Sequence, residues 1–321
     1  MCYSALVNQN AKSLGLTYQA RVQIDMFDDL FSGRLNGSGA KVPRSLELPF
    51  LRDVKGGVER RIEKSIREFQ QLEELKIEKD LFIQKKRLAD AERTLLAKTT
   101  KKAQNDQRIA TDKIGKLRHK LELLKAEDLG ENEGRIFPGQ YAPLITVIDG
   151  ERVVAPFRYL LRPKGQSPAF DRKFEGCYNA RRDSLDEVFW WKSVFGRNHG
   201  FMEIKSFWEN VKLHDFEDRK LRKGEEEKNL VLRFDPRALD RMIVPCIYDF
   251  NEEGDFPLQS FALITDEPNP EVAAVGHNRT PIIMKEEYVS LWLKTGGKDL
   301  KAYDIIFKDK QPTYFEHAVA A

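Results

Sequence analysis

Residues 58–114 contain neither Gly nor Pro and are dense in Glu, Lys, Arg, Gln, Leu and Ala, a composition that favours helix. Apolar residues recur at Val58, Ile62, Ile66, Phe69 and Leu72, and again at Ile114, Leu117, Leu121 and Leu124. Spacings of three and four line one face of a helix. The polar stretch TTKKAQNDQ, residues 99–107, is the expected turn between two arms. The pattern therefore predicts a helical hairpin whose first arm of about 40 residues reaches about 60 Å. A shorter helical segment is expected over roughly residues 16–35, followed by a loop with Gly37, Gly39 and Pro43.

After the hairpin the pattern changes to strands. PLITVIDGERVVAPFRYLL sets Asp149-Gly150 between two β-rich runs, and a two-residue turn of this kind needs positive φ, which Asp-Gly supplies. Further strands are expected over 200–206, 229–234, 242–249 and 260–265, with helices near 184–195 and 285–294. Strands outnumber helices outside the hairpin. The predicted fold class is α+β, a mostly antiparallel sheet or open β-barrel core with a long α-helical, coiled-coil insertion. In domain terms, residues 1–50 and 131–321 would make one body and residues 51–130 the insert.

With 321 residues, 41% hydrophobic and 33% charged, the chain is globular and large enough for one substantial core plus an appendage. A net charge of +3 on 54 basic and 51 acidic side chains does not announce a nucleic-acid protein, so any basic footprint must be local. One such place is residues 93–125, with ten Lys or Arg against three Asp or Glu. That arm reads as a solvated coiled-coil face or as a clamp for nucleic acid or a protein partner. Cys2, Cys177 and Cys246 are odd in number and far apart, which argues against disulfides or a zinc site and for a reducing cytoplasm. No apolar run suits a signal peptide or a membrane span, so a cytoplasmic protein with no membrane association is expected. P-loop, H-E-x-x-H, G-x-S-x-G and dinucleotide motifs are missing, and no cofactor is expected.

Four places carry candidate chemistry. The chain starts MCYSA, and removal of Met1 would leave Cys2 as a 1,2-aminothiol able to capture an aldehyde as an imine and then a thiazolidine. An α-amine with pKa near ~8 is nucleophilic at neutral pH, where a lysine near ~10.4 is not. GCYNARRDSL places Asn179, an amide that can orient a substrate oxygen, beside Arg181 and Arg182, whose guanidiniums suit phosphate. SFWENV sets Glu209 among apolar neighbours that raise a carboxylate's pKa and suit it to proton shuttling. GHNRTPIIM brings His277 and Arg279 on a turn-rich entry into a strand. Each also has a structural reading: Asn179 as a turn cap, Glu209 paired with a Lys, His277 as a surface histidine. His199 and His214 have no distinguishing context, and Trp190, Trp191, Trp208 and Trp292 read as core.

Taken together and in order, MCYSA, YNAR (178–181), HGFMEIKSFWE (199–209) and SFALITDEPNPEVAAVGHNRTPIIM (260–284) resemble the SOS-response-associated peptidase (SRAP) family. The resemblance covers Met1 to about residue 20 and residues 134–294, and residues 50–130 look like the helical insert of a longer subgroup. Tyr3-Ser4 stands where the family has Gly-Arg, and its Asn-x-Ala-Pro segment is matched only loosely by IFPGQYAP (136–143). The resemblance implies self-removal of Met1, binding of single-stranded DNA and a covalent bond from Cys2 to an abasic site, with lyase activity as a side reaction. It implies Glu209 and His277 as proton-transfer groups and Asn179 as the positioning group, with Arg181, Arg182 and Arg279 on phosphates. Asp249, in CIYDF, is a competing carboxylate. Two alternatives stay open: a thiol peptidase acting on other proteins, and a coiled-coil assembly protein with an inert body.

Overall fold

The computed structural model describes residues 3–130, 134–254, 256–296 and 300–320. Its strands are β1 (Ser4–Val7), β2 (Arg21–Val22), β3 (Arg135–Ile136), β4 (Tyr141–Ile148), β5 (Glu151–Tyr159) and β6 (Asn179–Arg181). They continue with β7 (His199–Lys212), β8 (Asn229–Pro236), β9 (Met242–Asn251), β10 (Leu258–Asp266), β11 (Thr280–Pro281) and β12 (Phe315–Val319). The helices before β3 are α1 (Ala11–Tyr18), α2 (Ile24–Leu35), α3 (Arg44–Arg52), α4 (Val58–Ala97) and α5 (Lys101–Lys125).

The Asp149-Gly150 turn forms as expected, with φ of 52° and 79° at its two residues, and joins β4 to β5 in continuous register from Tyr141↔Arg158 to Ile148↔Glu151. From β5 the pairing runs through β4, β7, β9 and β10 and returns to β5, closing a ring in which only the β10–β5 contact is parallel. Alternation along these strands separates two apolar clusters. Ala142, Leu144, Ala155, Phe157, Met202, Val244, Phe261 and Leu263 belong to one. Tyr141, Ile145, Val154, Phe201, Ile243 and Ala262 belong to the other, which the helices α1–α3 and the base of α4 cover. The α+β expectation, an antiparallel-dominated near-barrel with a helical hairpin, describes this architecture.

β7 is long enough to serve two neighbourhoods. Its first part, to Ile204, pairs with β9, while Ile204–Trp208 pairs with β1 and Phe207–Lys212 with β8. A register shift between Leu6 and Val7 lets β1 follow the bend.

The hairpin's first arm is 40 residues long. Its turn is shorter than the polar stretch suggested. Thr100 accepts from the Ala103 N–H and starts α5 at Lys101, because Lys101–Gln107 are serviceable helix formers once capped. Ile77, Leu81 and Ile114 are buried between the arms, with Leu88, Leu117, Leu121 and Leu124 against them. At the base, Ile62 and Ile66 join the main core. There Arg34 meets Glu47 at 2.6 Å and its guanidinium lies 4.0 Å from the Phe69 ring, while Arg44 and Gln70 each reach Glu47 at 2.8 Å. The segment expected as one helix over 16–35 is instead α1 and α2, separated by Gln19 at φ 50° and by β2.

Candidate active site

Glu209 sits on β7 between Trp208 and Asn210, opposite Leu232 of β8, and is fully buried. Strand alternation puts it on the side of Phe207 and Val211, both members of the ring's apolar cluster. Burial pushes its carboxyl up to about 8, and the backbone N–H of Tyr3 offsets part of that rise. The apolar setting anticipated from SFWENV is therefore present. Among the described residues the titratable neighbour seen at the carboxylate is a histidine rather than a lysine: His277 Nε2 lies 3.4 Å from Glu209 Oε2.

His277 follows the short helix Pro270–Ala274 through Gly276. Gly276 has φ +82°, and a Cβ there would lie 2.6 Å from Asp215 Cβ. Glycine is thus required twice over, by backbone conformation and by close approach. The turn fixes the imidazole: His277 Nδ1 lies 2.9 Å from the Arg279 carbonyl oxygen and 3.4 Å from the Arg279 nitrogen, and the shorter contact, to a group that can only accept, assigns the proton to Nδ1. Nε2 then presents a lone pair toward Glu209. Burial holds the imidazole down at about 4. Near neutrality the two groups are therefore a protonated carboxyl facing a neutral imidazole rather than an ion pair.

Asn179 opens β6, where it pairs with Leu263, and is buried with the Tyr159 hydroxyl donating to its Oδ1 at 3.3 Å. Tyr159 belongs to the same apolar cluster as Phe207, Val272 and Val275, the chain neighbours of Glu209 and His277. Arg181 and Arg279 converge on Asp183, at 2.7 Å and 2.9 Å. Arg182 sits in a second cluster, 3.1 Å from Asp266 and over the Phe307 ring, with Lys310 also on Asp266 at 2.6 Å. Asp249 is opposite Ser260, beyond the His199↔Ile247 pair and ten residues of β7 away from Glu209. Its carboxylate accepts from the Lys164 and Phe250 N–H groups at 2.8 Å and 2.9 Å. Cys2 lies outside the described residues. Tyr3 is described, and its N–H donates to the Trp208 carbonyl at 3.0 Å.

Cys177 and Cys246 are buried, with burial pushing the first thiol up to about 12 and the second well above its ordinary value, so both are poor nucleophiles. His199 is structural, as its lack of context suggested. It stacks on Trp292 with ring centroids 3.8 Å apart, and its nitrogens meet the Trp292 carbonyl and the Gly196 N–H.

Several neighbours escaped the sequence reading. Tyr159 holds Asn179, and Asp183 gathers two arginines. Trp208 is core, as expected, yet Arg135 and Arg233 lie 4.3 Å and 5.4 Å from its ring, and Arg135 donates to Ser4 Oγ at 2.7 Å. A tyrosine in an apolar strand and an arginine opening a two-residue strand were the available signals. Neither identifies its partner.

No curated protein matches the chain. Among solved structures it is similar to a protein from Bacteroides thetaiotaomicron at 16% identity and TM-score 0.45, over 58% of this chain and 77% of that one. It is also similar to a protein from Bordetella bronchiseptica at 16% and TM-score 0.45, over 59% and 87%. A phage-related protein from Bordetella bronchiseptica gives 14% and TM-score 0.43, over 58% and 80%. The family model described as SOS response associated peptidase (SRAP) matches residues 94–319, from within α4 to the end of β12, leaving MCYSA outside the matched span. Since that span holds well over half of the sequence, including Asn179, Glu209 and His277, the chain belongs to the SRAP family.

Proposed function

We propose that this protein captures abasic sites in single-stranded DNA by forming a thiazolidine on Cys2 after Met1 is removed. The observation that carries the reading is the Glu209–His277 pair, a carboxyl held near 8 against an imidazole held near 4, beside the strand pairing through which β1 enters the sheet. In support of that reading, the N–H of Tyr3 donates to the carbonyl of Trp208, the residue preceding Glu209.

Water first hydrolyses the Met1–Cys2 peptide bond. The freed amine adds to the aldehyde of the open-chain deoxyribose, and the carbinolamine loses water to give the imine. The Cys2 thiol then adds across the C=N bond, sulfur to carbon and proton to nitrogen. Glu209, protonated at rest, gives its proton to the aldehyde oxygen as the amine attacks and takes one back from the resulting ammonium, then repeats the exchange at the departing hydroxyl, while His277 assists opening of the sugar ring. Asn179 holds the sugar in register, and Arg181, Arg182 and Arg279 neutralise neighbouring phosphates, which makes binding salt-dependent and indifferent to sequence. Loss of a β-proton from the imine would instead break the strand, the lyase side reaction.

The test is mass spectrometry of the purified protein after exposure to uracil-containing single-stranded DNA treated with a glycosylase. The expected species is protein lacking Met1 plus oligonucleotide minus one water, absent in Cys2→Ala and Cys2→Ser. An adduct that retains Met1 would overturn the mechanism. Turnover of peptides with no DNA adduct would favour a peptidase acting on other proteins.

A further inference from the structure

α4 carries two apolar stripes. One, through Ile77 and Leu81, faces α5. The other lies on the opposite side at 3.6 residues per turn and includes Leu72, Leu75 and Phe82, which are 56%, 64% and 72% exposed. Large apolar residues repeated along one face of a projecting helix mark an interaction surface.

We propose that this face is the interface of an antiparallel homodimer, with the α4 helices of two copies packed about a two-fold axis opposite Ile77. The argument is the order of residues along the outer face, which is self-complementary when reversed. Lys64 meets the partner's Asp90, and Glu68 meets the partner's Lys86. Leu72 packs on the partner's Phe82, and Leu75 is covered by the alkyl stem of the partner's Lys79. The two-fold axis repeats each pair, so an apolar centre is flanked by two oppositely charged pairs at each end. The stripe from 64 to 90 is about 39 Å long.

The charges also select against other arrangements. A parallel pairing would set Glu68 on Glu68 and Lys86 on Lys86. Sliding the antiparallel pair by one turn sets Glu68 on Asp90 and Lys79 on Lys79 in one direction, and Lys64 on Lys86 in the other. Like charges at such positions decide register and orientation in coiled coils. The pairs that Lys64 and Asp90 make within the chain, to Glu68 at 3.8 Å and Arg93 at 3.2 Å, are solvent-exposed and readily exchanged. The inference stands apart from the abasic-site reading and does not depend on it.

Sedimentation equilibrium of the full chain at up to about 100 µM tests the proposal. The expected result is a dimer that L72E/F82E converts to a monomer with unchanged helical circular dichroism, since both side chains are exposed. E68K and K86E should each weaken self-association about tenfold, and the double variant E68K/K86E should restore it, because the swap re-forms the pair in a homodimer. A monomer at every concentration would overturn the proposal, whatever other partner the face binds. So would a dimer indifferent to L72E/F82E, or a double swap no better than either single change.

Discussion

Replacing Glu209 by Gln should make the folded protein more stable than the wild type by a margin that grows with pH. A glutamine amide has the shape of the protonated carboxyl and is uncharged at every pH, so the packing 3.4 Å from His277 Nε2 survives while the titration is removed. In the wild type, between the ordinary value of 4.5 and about 8, the folded chain keeps a proton on Glu209 that the unfolded chain has lost. Stability from this group is therefore complete at low pH and falls as pH rises, by about 1.4 kcal/mol per pH unit within the window. His277 slopes the other way. Its folded value near 4 lies below the ordinary 6.5, so its contribution is present above 6.5 and is lost as pH falls toward 4. From about pH 6.5 to about pH 8, only Glu209 of the pair contributes a slope, about 2 kcal/mol in total. Urea unfolding of both proteins at the two pH values reads this directly, because every other titrating group cancels in the difference. Parallel stabilities across that range would refute the claim that burial holds a proton on Glu209.

The same variant should slow adduct formation by about 100- to 10,000-fold, the usual range for losing a general acid–base group, measured as the rate of denaturation-resistant crosslink on gels. Gly276→Ala should slow it too while lowering Tm, since the new Cβ strains the backbone at φ +82° and collides with Asp215, displacing His277. Glu47→Ala should cost about 3 to 5 kcal/mol in chemical denaturation, because it leaves the buried Arg34 charge without its carboxylate. Deleting residues 58–126 should leave DNA capture unchanged if the hairpin serves assembly, whereas loss of capture by a folded protein would show a clamp.

How much could be read from the sequence depended on how local each feature is. The Asp149-Gly150 hairpin and the long first arm carry their signals within a few residues, so both were legible. Lys98–Thr100 as the hairpin turn was harder, because the polar stretch after Thr100 suits a loop and a capped helix equally. β6 and β11, of three and two residues, exist because β10 pairs with them; GHNRTPIIM reads as an entry into a strand, but neither it nor Asn179–Arg181 names the partner. Glu209 and His277 could each be picked out by residue type and surroundings. That they meet could not, since 68 residues separate them and the contact comes from Gly276 seating its turn against Asp215. The same holds for Arg181 and Arg279 sharing Asp183, and for Arg182 being drawn to Asp266.

The pairing of β1 with β7 also sets a schedule for synthesis. β1 ends at Val7, and its partner residues run from Ile204 to Trp208, so about 200 residues must leave the ribosome before that edge can form. At 5 to 20 residues per second this takes roughly 10 to 40 s. During that interval β1 has no partner strand and stays open to ribosome-associated factors, while any chemistry that needs both Glu209 and His277 must wait for translation to pass residue 277.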